Sequence, residues 1–306
     1  MEQTMLSRIV EMSRPYAAEG KTADYIPILR QADPSRLGIA VMEKDGRLVK
    51  AGDADIRFSI QSISKIITFT LSLMDSGIDR VFQTVSVEPT DDAFNSVINL
   101  ETKNNHRPLN PMINAGSIAC LTLVDGASFE IKQGRILDLT RKLAANSAIN
   151  VGNDIYLSEK STASRNRALT YYMQSTGVIE GDVEDILDAY FKACSMLVDC
   201  ADLARIALVY ALGGIDPVSG ERLFSSRIAH IVKAAMAICG MYDESGWVAV
   251  NIGLPTKSGV GGGLLAVSPN RLGIGIYGPA LNHKGSSTAG LAALTCLSRE
   301  LDLSIY

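Results

Sequence analysis

Two serine- and lysine-bearing stretches of this chain could do chemistry. The first, Gln61-Ser62-Ile63-Ser64-Lys65, sets a hydroxyl and an amine three residues apart. On a helix that spacing puts both side chains on one face, where the Lys65 amine can take the Ser62 proton. A serine activated in this way is a nucleophile for acyl groups. Taken singly, Ser62 reads more readily as a helix cap and Lys65 as a solvated first-turn residue, so the pair needs a partner elsewhere. The second stretch, Lys257-Ser258-Gly259-Val260, runs into Gly261-Gly262-Gly263. It reads as a strand entering a turn that permits close backbone approach.

The elements that must position these residues are legible in outline. Ile66, Ile67, Phe69, Leu71, Leu73 and Met74 are apolar on more than one side, which predicts a core helix starting at Ser62 and stopping at Gly77. Its N-terminus supplies unpaired N–H groups and partial positive charge, favouring an oxyanion at Ser62 and helping burial to depress the Lys65 pKa. Upstream, residues 2–18 form an amphipathic helix disturbed by Pro15, residues 23–27 a turn, and residues 37–49 a hairpin closed by Asp45-Gly46. Helices are expected over residues 133–145, 163–176, 183–195, 200–212 and 225–238, the fourth capped by Asp199 or Asp202 and ended by Gly213-Gly214. Short strands are expected at 248–252, 264–267 and 272–277, and a last helix over 286–300. First and last helices can then cover one sheet assembled from the two chain ends.

Composition excludes several functions. A net charge of −4, with basic residues scattered, leaves no footprint for nucleic acid. No stretch is long and apolar enough to span a membrane, and the N-terminus carries no basic-then-apolar export signal, so a cytoplasmic protein is expected. The five cysteines are odd in number, dispersed and without a C-x-x-C pair, which suits reduced thiols. Three histidines without ligand spacing predict no metal site.

A Ser-x-x-Lys helix followed, after a helical insertion, by a Lys-Ser-Gly strand is the order found in serine penicillin-recognising enzymes. In that arrangement the backbone N–H of Val260 faces that of Ser62, and the two can hold an oxyanion. More closely, the chain resembles the serine-dependent glutaminases over nearly its whole length. The resemblance is carried by Ala23-Asp24-Tyr25-Ile26-Pro27, Gln61-Ser62-Ile63-Ser64-Lys65, Asn110-Pro111-Met112-Ile113-Asn114-Ala115-Gly116, Ala163-Ser164-Arg165-Asn166, Tyr190-Phe191, Met241-Tyr242-Asp243 and Lys257 through Gly263.

That resemblance implies an α/β (α+β) fold of the serine β-lactamase and penicillin-binding-protein type, with an antiparallel sheet flanked by helices. Residues 1–61 and 240–306 would form the sheet domain and residues 62–239 a mainly helical one, with the active site between them. It implies hydrolysis of L-glutamine to L-glutamate and ammonia without a cofactor, in a homo-oligomer. Ser62 would be the nucleophile, Lys65 its base, Tyr242 a proton relay, and the backbone of Ser62 and Val260 the oxyanion hole. Tyr25, Asn114, Glu159, Asn166 and Tyr190 would surround the amino-acid end of the substrate, where Glu159 suits the ammonium and the amides and phenols suit the α-carboxylate. Ser64 and Ser258 are secondary candidates for passing protons. Two rivals remain: a penicillin-recognising hydrolase or peptidase, for which an export signal is missing, and a catalytically silent amino-acid-binding scaffold.

Overall fold

Near-continuous apolar runs mark strands buried on both faces, and three such runs build the centre of this molecule. The computed structural model describes residues 1–90, 95–102 and 104–306. It runs through α1 (Gln3–Ser13), β1 (Gly38–Glu43), β2 (Leu48–Gly52), β3 (Phe58–Ser59), α2 (Ser64–Thr84), α3 (Ile98–Thr102) and α4 (Asn114–Thr122). Then follow α5 (Phe129–Ala144), α6 (Asn153–Ser161), α7 (Ser164–Ser175), α8 (Val183–Cys194), β4 (Leu197–Val198), α9 (Cys200–Ala211) and α10 (Ser226–Cys239). The chain closes with α11 (Ser245–Asn251), β5 (Thr256–Gly259), β6 (Gly263–Ser268), β7 (Leu272–Tyr277) and α12 (Thr288–Leu301).

The main sheet is antiparallel throughout, in the order β2-β1-β7-β6-β5, so strands from the two chain ends meet where Ile39 lies opposite Ile276. Alternation divides its side chains between two cores. Ile39, Val41, Leu264, Ala266, Ile274 and Ile276 pack with Leu6, Ile9 and Val10 of α1 and Leu294 and Leu297 of α12. Ala40, Met42, Leu265, Val267 and Tyr277 point the other way, into a core shared with α9 and the remaining helices. Each fully buried Leu or Ile contributes about 1.5–3 kcal/mol. Helix α9 lies flush on β7, since a Cβ at Gly275 would stand 2.1 Å from the Cys200 carbonyl.

A short β3–β4 ladder, pairing Phe58 with Val198, ties the segment ahead of Ser62 to the chain leaving α8. Phe58 also stacks on Tyr277 of the main sheet, ring centres 4.5 Å apart. The approach to Ser62 is therefore held from two sides.

Most of the expected elements form with ends shifted by a few residues. Asp199 and Asp202 together make a reciprocal cap for α9, and Pro15 does end α1, in a 3-10 turn over Arg14–Glu19. Two expectations need correction. The expected strand at 248–252 is helix α11: Val248 and Ile252, four apart, are buried while Val250 is 86 % exposed. Its alternation belonged to a helix face too short to distinguish by period. Gly77 breaks α2, at φ +77° and ψ 163°, but does not end it, because helix resumes as far as Thr84. Nor does α2 begin at Ser62, which sits in a 3-10 turn over Gln61–Ile63 just ahead of it.

Candidate active site

The nucleophile candidate stands at a strained corner. Gln61, immediately before Ser62, adopts φ +47°, a left-handed conformation disfavoured for any residue with a Cβ. The surroundings hold it there: Ile60 N–H donates to the Met196 carbonyl at 2.8 Å, Ser64 Oγ donates to the Gln61 carbonyl at 2.8 Å, and Gln61 Nε2 donates to Ser59 Oγ at 3.3 Å. Strand β5 closes against the same corner, and a Cβ on Gly259 would come 2.7 Å from the Ile60 carbonyl. Only glycine allows that approach.

Lys65 Nζ lies 3.0 Å from Ser62 Oγ and donates to Asn114 Oδ1 at 2.7 Å. Asn114 opens α4, where the Asn110 side chain accepts from the Met112 and Ile113 N–H groups and fixes the turn. Its Nδ2 donates in turn to Asn166 Oδ1 on α7 at 2.9 Å. The amine is fully buried, and burial lowers its pKa to about 8 against the weaker opposing pull of Cys194 and Glu159. Glu159 on α6 is also buried, with Oε2 unbonded, and burial raises its pKa to about 8, opposed by Lys65 and a hydrogen bond from Gln61.

Tyr242 reaches this centre from the turn after α10. Its ring centre is 5.7 Å from Lys65 Nζ and 4.2 Å from Lys257 Nζ, and its phenol interacts with Ser62. Tyr190 on α8 is buried edge-on to Phe191, with its phenol against Cys194. Tyr25 is half exposed at the rim of a cleft of about 500 Å³ that also reaches Val260, near enough to Glu159 and Tyr242 for their charges to act on its phenol. The residues singled out in the sequence thus converge: Ser62, Lys65, Asn114 and Asn166 in one hydrogen-bonded chain, Tyr242 and Glu159 beside it, Tyr25 and Val260 at the rim. Of the secondary candidates, Ser64 Oγ is engaged by the Gln61 carbonyl, and Ser258 offers its backbone carbonyl to Lys257 at 2.7 Å.

The sequence places Lys257 in the Lys-Ser-Gly signature without giving its amine a role of its own, and it singles out neither the backbone of Gln61 nor Cys194. Lys257 is fully buried, and burial, then Lys65, push its pKa well below the usual value. Its burial, in a strand buried at every position, is visible only in three dimensions. The same holds for Gln61 and Cys194, because a strained dihedral and a thiol 3.9 Å from Ser64 Oγ are not written in residue types. Among the described residues no group of three or more His, Cys, Asp or Glu could hold a metal ion, and no helix is long and apolar enough to cross a membrane.

Known proteins similar to this chain in sequence and in fold are consistent with one another. The Glutaminase family model matches residues 20–306. Glutaminase 2 of Clostridium perfringens is 51% identical over 304 residues, covering 99% of this chain and 100% of that protein. A glutaminase of Clostridium botulinum is 50% identical over 302 residues, 99% of both chains. A Bacillus glutaminase solved in the presence of 4.3 M NaCl superposes with a TM-score of 0.93 at 39% identity, over 99% of each chain. The probable glutaminase of Bacillus subtilis complexed with 6-diazo-5-oxo-L-norleucine superposes at 0.92 with 37% identity, over 100% of this chain and 97% of that one. These neighbours have the β-lactamase-like fold, as expected for this chain. Matched by one family model from residue 20 to its last residue, and half identical to proteins of that family along their whole length, the chain belongs to the glutaminase family.

Proposed function

We propose that this chain hydrolyses the side-chain amide of L-glutamine, giving L-glutamate and ammonia, through an acyl-enzyme on Ser62. The observation that carries the reading is the buried Lys65 amine 3.0 Å from Ser62 Oγ, with its pKa lowered towards neutrality. A neutral amine has a lone pair, so the same contact lets the hydroxyl donate to it. Ser62 Oγ attacks the amide carbon as its proton passes to Lys65, and the N–H groups of Ser62 and Val260 hold the oxyanion. Collapse breaks the C–N bond, and ammonia departs with a proton relayed from Lys65 through Tyr242. Water then attacks the glutamyl ester, gives its proton to Lys65, and the proton returns to Ser62 as glutamate leaves. No cofactor enters these steps.

Glu159 would pair with the substrate ammonium, an interaction that would also hold its carboxylate ionised. Asn114 spends one donor on Asn166 and one acceptor site on Lys65, so an N–H remains for the substrate carboxylate, beside Asn166, Tyr25 and Tyr190. In the same reading residues 1–61 with 240–306 form the sheet-bearing unit and residues 62–239 the helical one, the former supplying Tyr242 and Val260 and the latter Ser62, Lys65, Asn114 and Glu159. We further assign the chain to the cytoplasm, which its free cysteines suit, and to a homo-oligomer, supported by the exposed Val250 and half-exposed Trp247 on α11. Sedimentation of the purified chain tests the last point.

Ammonia release from L-glutamine tests the reaction, with L-asparagine in parallel. Release that disappears in Ser62→Ala, while that variant keeps its unfolding temperature, is the expected result. A folded, unmodified chain that releases none overturns the reading.

A further inference from the structure

Tyr242 occupies a backbone conformation that its own side chain disfavours. Its φ is +55°, in the left-handed region that a tyrosine seldom adopts. Such a dihedral persists only where the surroundings over-determine it, and here one side chain brackets the residue. The Ser245 hydroxyl accepts from the Met241 N–H at 3.1 Å and donates to the Tyr242 carbonyl at 2.9 Å. Ser245 is itself buried, and the Glu244 N–H closes the turn onto the Met241 carbonyl at 2.9 Å.

A second tie comes from the other side of the turn. Asn282 Nδ2 donates to Glu244 Oε1 at 2.8 Å, and Lys284 Nζ stands 3.0 Å from Asp243 Oδ2. Asn282 in turn accepts from the Lys284 and Ser286 N–H groups, so the loop that anchors the turn is itself folded on a side chain. These outer ties hold Asp243 and Glu244, whereas the Ser245 hydroxyl clasps the Met241–Tyr242 stretch at both ends, through the Met241 N–H and the Tyr242 carbonyl.

We propose that Ser245 is a positioning residue for catalysis: by tying the N–H of Met241 to the carbonyl of Tyr242, its hydroxyl fixes the Met241–Tyr242 stretch and keeps the phenol beside Ser62, with the ring close to the Lys65 and Lys257 amines. The inference rests on the reading of Tyr242 as the proton relay. Without the hydroxyl, the turn relaxes towards negative φ, and the Cα–Cβ direction that aims the ring changes with it. Proton transfer then suffers while the groups that surround the amino-acid end, Glu159, Asn114 and Asn166, stay where they are. Displacements of about 1 Å in such a constellation lower rates by roughly 100-fold.

A double-mutant cycle on the full chain tests this, with kcat and KM for ammonia release measured for Ser245→Ala, Tyr242→Phe and the pair. Ser245→Ala is expected to lower kcat roughly 10- to 100-fold with KM almost unchanged, and to cost nothing further once Tyr242 is Phe. Ser245→Thr keeps the hydroxyl and recovers most of the rate. Ser245→Cys keeps the volume with a weak donor and should match Ser245→Ala, which it replaces if the alanine variant does not fold. Equal losses in both backgrounds, or an unchanged kcat in Ser245→Ala and Ser245→Cys beside a crippled Tyr242→Phe, overturn the positioning role alone. A fully active Tyr242→Phe overturns the relay reading and this inference with it.

Discussion

A buried amine is costly to keep charged, and that cost is what fits Lys65 to the proposed role of base. Burial brings its pKa to about 8 from an ordinary 10.5, and each tenfold weakening of proton binding costs the charged form about 1.4 kcal/mol. The same burial raises Glu159 to about 8, so below that pH the amine is charged and the carboxyl neutral. The proposed reaction needs the reverse of both, a lone pair on Lys65 and a charge on Glu159. The two interact and titrate as a pair. We therefore expect log kcat/KM, which reports the free enzyme, to rise with pH through about 8, with a slope between about one and two. A kcat/KM that is level or falling between about pH 6.5 and 9 in folded protein would remove Lys65 from the role of base. Ser62, Lys65 and the candidate substrate ligands were legible as residue types, because spacing and family pattern lie in the chain itself. The strain at Gln61 and Tyr242 was not, since neither residue type announces a positive φ.

At the scale of elements, the site depends on how closely β5 approaches the corner before α2. Gly259 meets the Ile60 carbonyl with no room for a methyl group. Gly259→Ala is expected to push the strand off the Ser62 corner, costing about 1–3 kcal/mol of stability and, in the proposed reaction, moving the Val260 N–H away from the oxyanion it would share with Ser62. Losing one oxyanion donor lowers kcat by about 100-fold or more. Gly134→Ala is the matched control, because nothing lies within 4 Å of a Cβ in the middle of α5, and alanine there should stabilise by about 0.5–1 kcal/mol. Thermal unfolding together with kcat for both variants decides the matter; a Gly259→Ala protein as active as the unmodified chain would show that the approach is not needed. Element type was readable wherever the apolar pattern ran long, as in α8, α9 and α12. It failed at α11, whose seven residues satisfy both periods, and at Gly77, where only packing tells the chain to resume its helix.

At the scale of the whole molecule, two chain ends and a middle helix must close on one sheet. The apolar pattern placed α1 and α12 over one face, but left the other face without a named cover. That cover is α9, which is apolar on most sides and therefore shows no preferred face in its sequence. Its partner surface was recorded in β7, whose glycines mark a close backbone approach rather than a weak strand. A Cβ at Gly275 would meet the Cys200 carbonyl at 2.1 Å and the Ala204 nitrogen at 2.7 Å, both rigid helix backbone. Gly275→Val must therefore lift α9 from the sheet. Because α9 follows directly on β4, which pairs with the strand leading to Ser62, the displacement reaches the site through backbone alone. The expected outcome is a loss of about 3 kcal/mol or more, read as a fall in Tm of several degrees, with glutaminase activity lost on heating in the same transition as the helical signal. If the variant unfolded at the temperature of the unmodified chain, the close seat of α9 on β7 would not be what joins sheet and helices. If activity vanished well before the helical signal, the site would be sensing something other than that joint.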